Sequence, residues 1–393
     1  MAEPGDLAVA AFVVERGPVA AAAAIRAGQA PNDVAAATEA RRTADGEADL
    51  EAGARHDVRL VTPESPDWPH FAFAPLYRAQ TARIAAWRAG ERAARYGGEP
   101  TVPLALWIRG PAGLDELGAT GVAVVGARAA TAYGEQVATE VAYGVAGSGR
   151  AVVSGGAFGI DAAAHRAALA ADGPTVLVSA GGLDRPYPPA HARLFEDVAA
   201  QGLLVSESPP GSAPQRHRFL SRNRLIAALS AATVVVEAAR RSGALNTAAH
   251  AATLGRLVLA VPGPVTSAMS VGCHDLLRRS GEPAQLVTGA GDVLAVVGGG
   301  VEPARLIGAP GTQPVPLPNL SAGGPRPYDE LDPVARSVLD GFPARRWIDV
   351  EGLCRASGRT AVEVIRTLPV LQLAGLVESG REGHRLMRGG GAG

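Results

Sequence analysis

The stretch VAVVGARAATAYG, residues 122–134, decides the fold. A run of apolar, mostly β-branched residues ends at Gly126, and an alanine-rich segment of helical composition comes after it. The pattern recurs at roughly 20 to 30 residue intervals. AVVSGG closes at Gly156, TVLVSAGG at Gly182, LLVSE at Glu207, TVVVEA at Ala238 and LVLAVPG at Gly263. Uninterrupted apolar strands suit a sheet covered on both faces, and strands separated by alanine-rich helices make βαβ units. The expected fold class is α/β, with a doubly wound, mostly parallel sheet.

The residues that leave each strand bear on function. Gly126, the triplet Ser154, Gly155 and Gly156, and the pair Gly181 and Gly182 all fall at strand carboxyl ends, the edge where open α/β sheets bind ligands. Glycines there let backbone N–H groups approach an anion, and the N-termini of the succeeding helices add a favourable dipole. The expected ligand is a phosphate, but not that of a dinucleotide. A G-x-G-x-x-G fingerprint needs glycine where this chain has Arg128, and the acidic residue expected at the end of the second strand is missing. No cofactor is expected. Arg128 instead offers a planar, bidentate donor to a phosphodiester.

Between Glu207 and Glu237 the chain has no carboxylate, while Arg216, His217, Arg218, Arg222 and Arg224 cluster around Phe219 in QRHRFLSRNRLIAAL, residues 215–229. The net charge is −1 and every one of the 37 basic side chains is arginine, so a polyanion site has to be a local patch of this kind. A basic groove with an interleaved aromatic grips single-stranded nucleic acid without sequence preference. The same residues would also fit a Phe219 packed in the core among solvated arginines. A position on the loop leaving a parallel strand favours binding.

In RRSGALNTAAH, Ser242 and Gly243 stand just before another helix, again suited to an oxyanion. Without a G-x-S-x-G elbow, Ser242 is a poor nucleophile candidate. Asp161 and His165 in SGGAFGIDAAAH share a helix face but lack a third ligand, so a helix-start role for Asp161 is expected in preference to a metal site. Cys273 and Cys354 lie far apart without C-x-x-C spacing, which suggests neither zinc nor a disulfide and fits a reducing cytosol.

The 393 residues suffice for two or three domains. Residues 1–100 are Ala- and Arg-rich with helical spacing and read as a small helical domain; residues 101–297 hold the βα repeats. Residues 298–326 are dense in proline and glycine and read as a linker. Residues 327–393 read as a winged-helix-like tail, with Gly358 at a turn, Arg359 and Arg366 on the candidate recognition helix, and Pro369 expected to kink or end it. Glu3 and Asp6 replace the positive start of a signal peptide, and no apolar run is long enough to span a bilayer, so a cytoplasmic location is expected.

Taken together, VVGARAATAYG, SGGAFGIDAAAH, GGLDRPYPPAH, SESPPGSAPQRHRFLSRNRLIAALS, VVVEAARRSGALNTAAHA and VLAVPGPVTSAMSVGCHDLL resemble, in order and spacing, the DNA-processing protein A family, DprA or Smf. The resemblance covers about residues 100 to 297, and the flanking segments look like the accessory domains many members carry, the first of them SAM- or HhH-like. It implies an extended Rossmann-like fold that binds single-stranded DNA, protects incoming strands during natural transformation, and helps load the RecA recombinase as a homodimer. It further implies that Gly126, Arg128, Arg216, Phe219, Arg222, Asn223 and Arg224 line the DNA pocket and that no residue is catalytic. Two positions depart from the family pattern: Leu220 stands for its proline and His191 for its asparagine. The rival reading is a phosphoribohydrolase-like enzyme on a related scaffold. Those enzymes carry a P-G-G-x-G-T-x-x-E loop, which EAARRSGALNTAAHA does not match.

Overall fold

The computed structural model describes residues 3–91, 99–118, 120–279, 284–298, 332–343, 347–373, 376–380 and 383–387, in two compact units, residues 1–311 and 312–393. The first unit opens with four helices, α1 (Leu7–Arg16), α2 (Pro18–Arg26), α3 (Asn32–Thr38) and α4 (Gly46–Ala54). The Asp6 carboxylate caps α1 by accepting from Val9 N, and Pro18 opens α2 where no N–H is needed. Strand β1 (Arg59–Val61), helix α5 (His70–Arg88), strand β2 (Leu106–Arg109) and helix α6 (Leu114–Gly118) come next.

The six strands read from the sequence are β3 (Val122–Val125), β4 (Val152–Ser154), β5 (Thr175–Ser179), β6 (Leu203–Ser206), β7 (Ala232–Val235) and β8 (Leu257–Ala260). The intervening helices are α7 (Ala132–Gly147), α8 (Ile160–Ala170), α9 (Ala192–Gln201), α10 (Arg216–Ala228) and α11 (Gly243–Thr253). Helix α12 (Val271–Leu277), strand β9 (Gln285–Leu286) and helix α13 (Ala290–Val296) follow, the last elements of the unit among the described residues. The sheet order is β1-β2-β6-β5-β4-β3-β7-β8-β9, parallel from β6 to β9, with β2 antiparallel to both β1 and β6. The α/β, Rossmann-like, mostly parallel expectation therefore holds.

Strand β3 shows why its sequence is apolar throughout. Val122 and Val124 pack on the α7 and α8 side, while Ala123 and Val125 pack on the side of α5, α10 and α11. All four are buried, and each valine contributes about 1.5 to 3 kcal/mol. Strands β1, β2 and β9 are not among the runs read from the sequence; β1 and β9, three and two residues long, are the edge strands of the sheet. Two parts of the amino-terminal region join the main body: β1 extends the sheet, and Trp68, Phe73 and Leu76 enter its core.

From β3 the chain adds β4, β5 and β6 on one side, then crosses back through α10 to lay β7 on the other side of β3. The loops after β3 and β7 therefore diverge, leaving a crevice at the switch point of the sheet. Because α10 is the crossover from β6 to β7, it starts at the carboxyl edge and runs beneath the sheet.

The second unit has helices α14 (Pro333–Asp340), α15 (Val350–Ser357) and α16 (Ala361–Leu373), then an antiparallel pair, β10 (Val377–Gly380) and β11 (Gly383–Leu386). Val338, Leu353, Val364, Leu368 and Leu371 form its core. Contrary to expectation, α16 continues through Pro369. Ile365, whose carbonyl loses its helical partner, is exposed along with Pro369, so water can take the bond. Arg359 precedes α16 and pairs with Glu363 at 3.9 Å. The segment expected to be a linker lies, after Gly298, outside the described residues, as do the last residues of the tail. Among the described residues no single helix is long and apolar enough to cross a membrane.

Candidate nucleic-acid interface

Phe219 sits in the first turn of α10, not on a loop, and is half-buried. Arg216 begins the helix and is exposed. Beyond Phe219 the helix goes under the sheet, which buries Arg222, Asn223 and Arg224. The five candidates on this helix thus fall into three environments, exposed, half-buried and buried.

Arg222 donates through Nη1 to Gly155 O at 2.9 Å and to Val178 O. Gly155 is needed for this: a Cβ there would fall 2.5 Å from the guanidinium. From the other side Asp161 accepts from Gly155 N at 3.2 Å and Ala157 N at 3.4 Å. The loop after β4 is therefore gripped by a cation and an anion. Burial pushes the Arg222 guanidinium down to about 10 and the Asp161 carboxyl above its usual range, the opposing charge only partly offsetting it. Asn223 donates through Nδ2 to Asn246 Oδ1 at 3.0 Å and, more weakly, to Gly243 O at 3.3 Å, tying α10 to the start of α11.

At the switch point lies an open depression of about 390 Å³, lined by Gly126, Arg128, Arg222, Asn223, Arg241 and Ser242 with Gly243 beside them. Arg128 and Arg241 are exposed. The first turn of α11, where unpaired N–H groups and the positive helix end collect, opens onto it, with the Ser242 hydroxyl capping Ala244 N. Three arginines face one lining carboxylate, Asp161. The nearby Glu237 is buried and accepts from Thr131 N and Oγ1 at 2.9 and 2.7 Å. This is a local positive basin in a chain of net charge −1.

A notch of about 50 Å³ adjoins the basin, with Arg128 and Phe219 lining both. The Arg128 guanidinium carbon lies 5.2 Å from the Phe219 ring centroid and that of Arg222 6.0 Å, while the Tyr187 ring lies 5.4 Å away, tilted by 54°. Phe158 lines the notch and rests edge-on against His191 at 4.6 Å.

Other sequence candidates are not brought to the basin. Ser154 is buried and donates its hydroxyl to Val124 O at 2.7 Å. Gly156 packs on Leu177 at a positive φ. Gly181 N donates to Ser179 Oγ at 3.2 Å and Gly182 N to Ser212 O at 2.9 Å, so these amides are already occupied. Arg224 is fully buried and donates to Glu207 at 2.7 Å. Arg218 donates to Glu3 at 2.6 Å through Nη2 and 2.8 Å through Nε, and His217 lies 3.2 Å from the same carboxylate. A larger cavity of about 660 Å³ is lined by Glu3, Asp6, Asp49 and Glu207 against Arg41 and Arg218, a poor seat for a polyanion. Asp161 and His165 do not converge: the His165 ring meets Thr175 Oγ1 at 2.8 Å, away from the Asp161 partners.

Sequence reasoning missed Arg241, although its position before Ser242 was a usable signal. It also missed Tyr187 and Phe158, single rings in separate glycine- or proline-containing loops that only the fold brings together. Nothing in the local sequence announces that Glu3 meets Arg218.

A family model described as DNA recombination-mediator protein A matches residues 91–298. The chain is 47% identical over 395 residues to a Mycobacterium tuberculosis protein assigned the name DNA processing protein DprA, covering 99% of this chain and 93% of that protein. It is 42% identical over 193 residues to the DNA processing protein DprA of Streptococcus pneumoniae, covering 49% and 66%. An X-ray structure of DNA processing protein A from Streptococcus pneumoniae matches with a TM-score of 0.58 at 30% identity, covering 74% of this chain and 93% of that one.

Proposed function

The chain belongs to the DNA recombination-mediator protein A family, and from that premise we propose that it binds single-stranded DNA at the switch-point basin, protects incoming strands and assists RecA loading. The observation that carries this reading is the exposed Arg128 guanidinium set 5.2 Å over the Phe219 ring, at the rim of a basin with three arginines and a helix N-terminus. Guanidinium groups and amides take phosphates, and the aromatic face takes a base. Gly126, Arg128, Arg216, Phe219, Arg241, Ser242 and Gly243 are the proposed contacts. Arg222 and Asn223 shape the wall, and Arg224 supports it from behind.

No group here is assigned to chemistry, and the protein acts as a binding protein, as a cytoplasmic homodimer. The order of three helices and a hairpin in the second unit supports a winged-helix-like tail. Its helix α16 exposes Val362, Ile365 and Val370 beside Arg366, which favours protein contact over a DNA groove. Fluorescence anisotropy with a labelled oligothymidine and a duplex of equal length tests the central claim. Clear preference for the single strand is expected, and equal binding of both would refute it.

A further inference from the structure

Helix α10 begins with three consecutive basic side chains, Arg216, His217 and Arg218. No side chain caps this terminus, and its first turn holds no carboxylate of its own. Cations at a helix N-terminus oppose the macrodipole, so the arrangement is favourable when an anion is seated against it. That anion comes from 215 residues away. The Glu3 carboxylate accepts from Arg218 Nη2 at 2.6 Å and Nε at 2.8 Å, and it lies 3.2 Å from His217 Nε2 and 3.3 Å from Arg41 Nη2. A guanidinium fork that holds two carboxylate oxygens side by side holds two phosphate oxygens in the same way.

The segment that carries Glu3 belongs to a small body of its own. Helices α1 to α3 share a separate core that includes Val9, Phe12, Ile25 and Val34. A cluster of three residues, Leu7 and Ala11 with Ile84 of α5, joins them to the rest of the unit. The Glu15–Arg88 ion pair that also joins them is more than half exposed on both sides. The cavity of about 660 Å³ lies on this seam, lined by Glu3, Asp6 and Val9 from the first segment and by Val102, Pro209 and Arg218 from the body. A seam so thinly packed opens at lower free energy than the sheet core.

Resting on the single-strand reading above, we propose that Glu3 is a built-in competitor for DNA: it covers a phosphate site formed by Arg218 and His217, and a strand leaving the basin over Arg216 displaces it. The site continues the basin, because Arg216 precedes it on the first turn of α10 and Phe219, which lines the basin, follows it. Displacement exchanges a carboxylate for a phosphate at the same guanidinium fork. It also withdraws Asp6, which is carried by the same segment. With Glu3 and Asp6 in place the cavity disfavours a phosphate, which is what makes the contact inhibitory. The amino-terminal helices thus act as a latch that sets how many phosphates the protein holds.

The test measures oligothymidine affinity by anisotropy over a range of salt concentrations, for the full chain and its variants. Glu3→Ala should bind severalfold more tightly at low salt, with a log-log salt slope steeper by about 0.7 for each phosphate gained. Glu3→Gln, which keeps the shape, should move in the same direction by less. Adding Arg218→Ala to Glu3→Ala should return the slope to its wild-type value. Glu15→Ala removes a carboxylate of the same helices that faces Arg88 instead, and it should leave slope and affinity unchanged. A slope in Glu3→Ala no steeper than wild type overturns the latch. So does an equal gain in Glu15→Ala, since net charge alone would then account for the effect. If wild-type protein binds no oligothymidine, the single-strand reading itself fails. Circular dichroism and thermal melting of each variant exclude loss of folding as the cause.

Discussion

The Arg224 guanidinium, fully removed from solvent, donates to the Glu207 carboxylate at 2.7 Å with that side chain only 13% exposed. Its Nε reaches Thr101 Oγ1 at 3.3 Å, so the pair fastens α10 to the segment before β2 and to the end of β6. Removing one partner of such a pair strands a buried charge and costs about 3 to 5 kcal/mol. Arg224→Met should therefore lower the urea midpoint at unchanged m value, while the folded variant binds DNA with the wild-type salt slope. A flattened slope would place Arg224 on a phosphate, against its burial.

Arg128 is the opposite case, exposed and at the rim. Each phosphate contact to a single strand contributes about 0.7 to the slope of log affinity against log salt. Arg128→Ala should lower that slope by about this amount with little change in melting temperature, and Arg241→Ala should do the same. Anisotropy titrations at several salt concentrations measure it. A variant that loses affinity at unchanged slope would show that the guanidinium acts through the Phe219 ring instead.

The contrast between these arginines shows where the sequence was legible. Six parallel strands were visible because each is an uninterrupted apolar run, the pattern that two-sided burial demands. The crevice at the switch point was legible with them, since strand ends and switch points are properties of chain order. The depth of each side chain was not. R-N-R reads as one cationic cluster, yet the helix carrying it dives under the sheet, so Arg222 holds Gly155 O and Arg224 holds Glu207. The absence of carboxylates between Glu207 and Glu237 also misled, because Glu3 reaches Arg218 from 215 residues away. The glycines at strand ends read as anion cradles, but Gly181 and Gly182 pack against the segment around Ser212 and Pro214.

Glu3 links stability to pH. Its hydrogen bond with Arg218 chiefly, aided by His217 and Arg41, holds the carboxyl at about 2 against burial that raises it. A depressed carboxyl stabilises the fold above its unfolded value of 4.5, and that contribution fades as pH falls through 4.5 toward 2. With the side chain 37% exposed, solvent screening limits it to about 1 kcal/mol or less. Glu3→Gln should melt slightly below wild type at neutral pH, and the two curves should converge in acid. A difference that persists to the lowest pH would mean that shape, not charge, fixes the first turn of α10.

Among the described residues Asp161 is the one lining carboxylate of the basin, and its acceptor role and its charge have opposite effects there. As an acceptor it satisfies Gly155 N and Ala157 N, and leaving such buried donors unpaired costs about 1 to 3 kcal/mol each. As a charge it is held in a buried place that raises its pKa despite Arg222, so the ionised form weakens the fold as pH rises above the ordinary 3.8. It also repels any phosphate entering beside Arg128. Asp161→Asn keeps an oxygen for both amides and deletes the charge. It should match or exceed wild-type melting temperature at neutral pH and bind oligothymidine severalfold more tightly. Asp161→Ala should instead lose stability and weaken binding, because the loop carrying Gly155 and Phe158 is released. Were Asp161→Asn to bind as weakly as Asp161→Ala, the ionised carboxylate itself would be the element that keeps Arg222 and the loop in register.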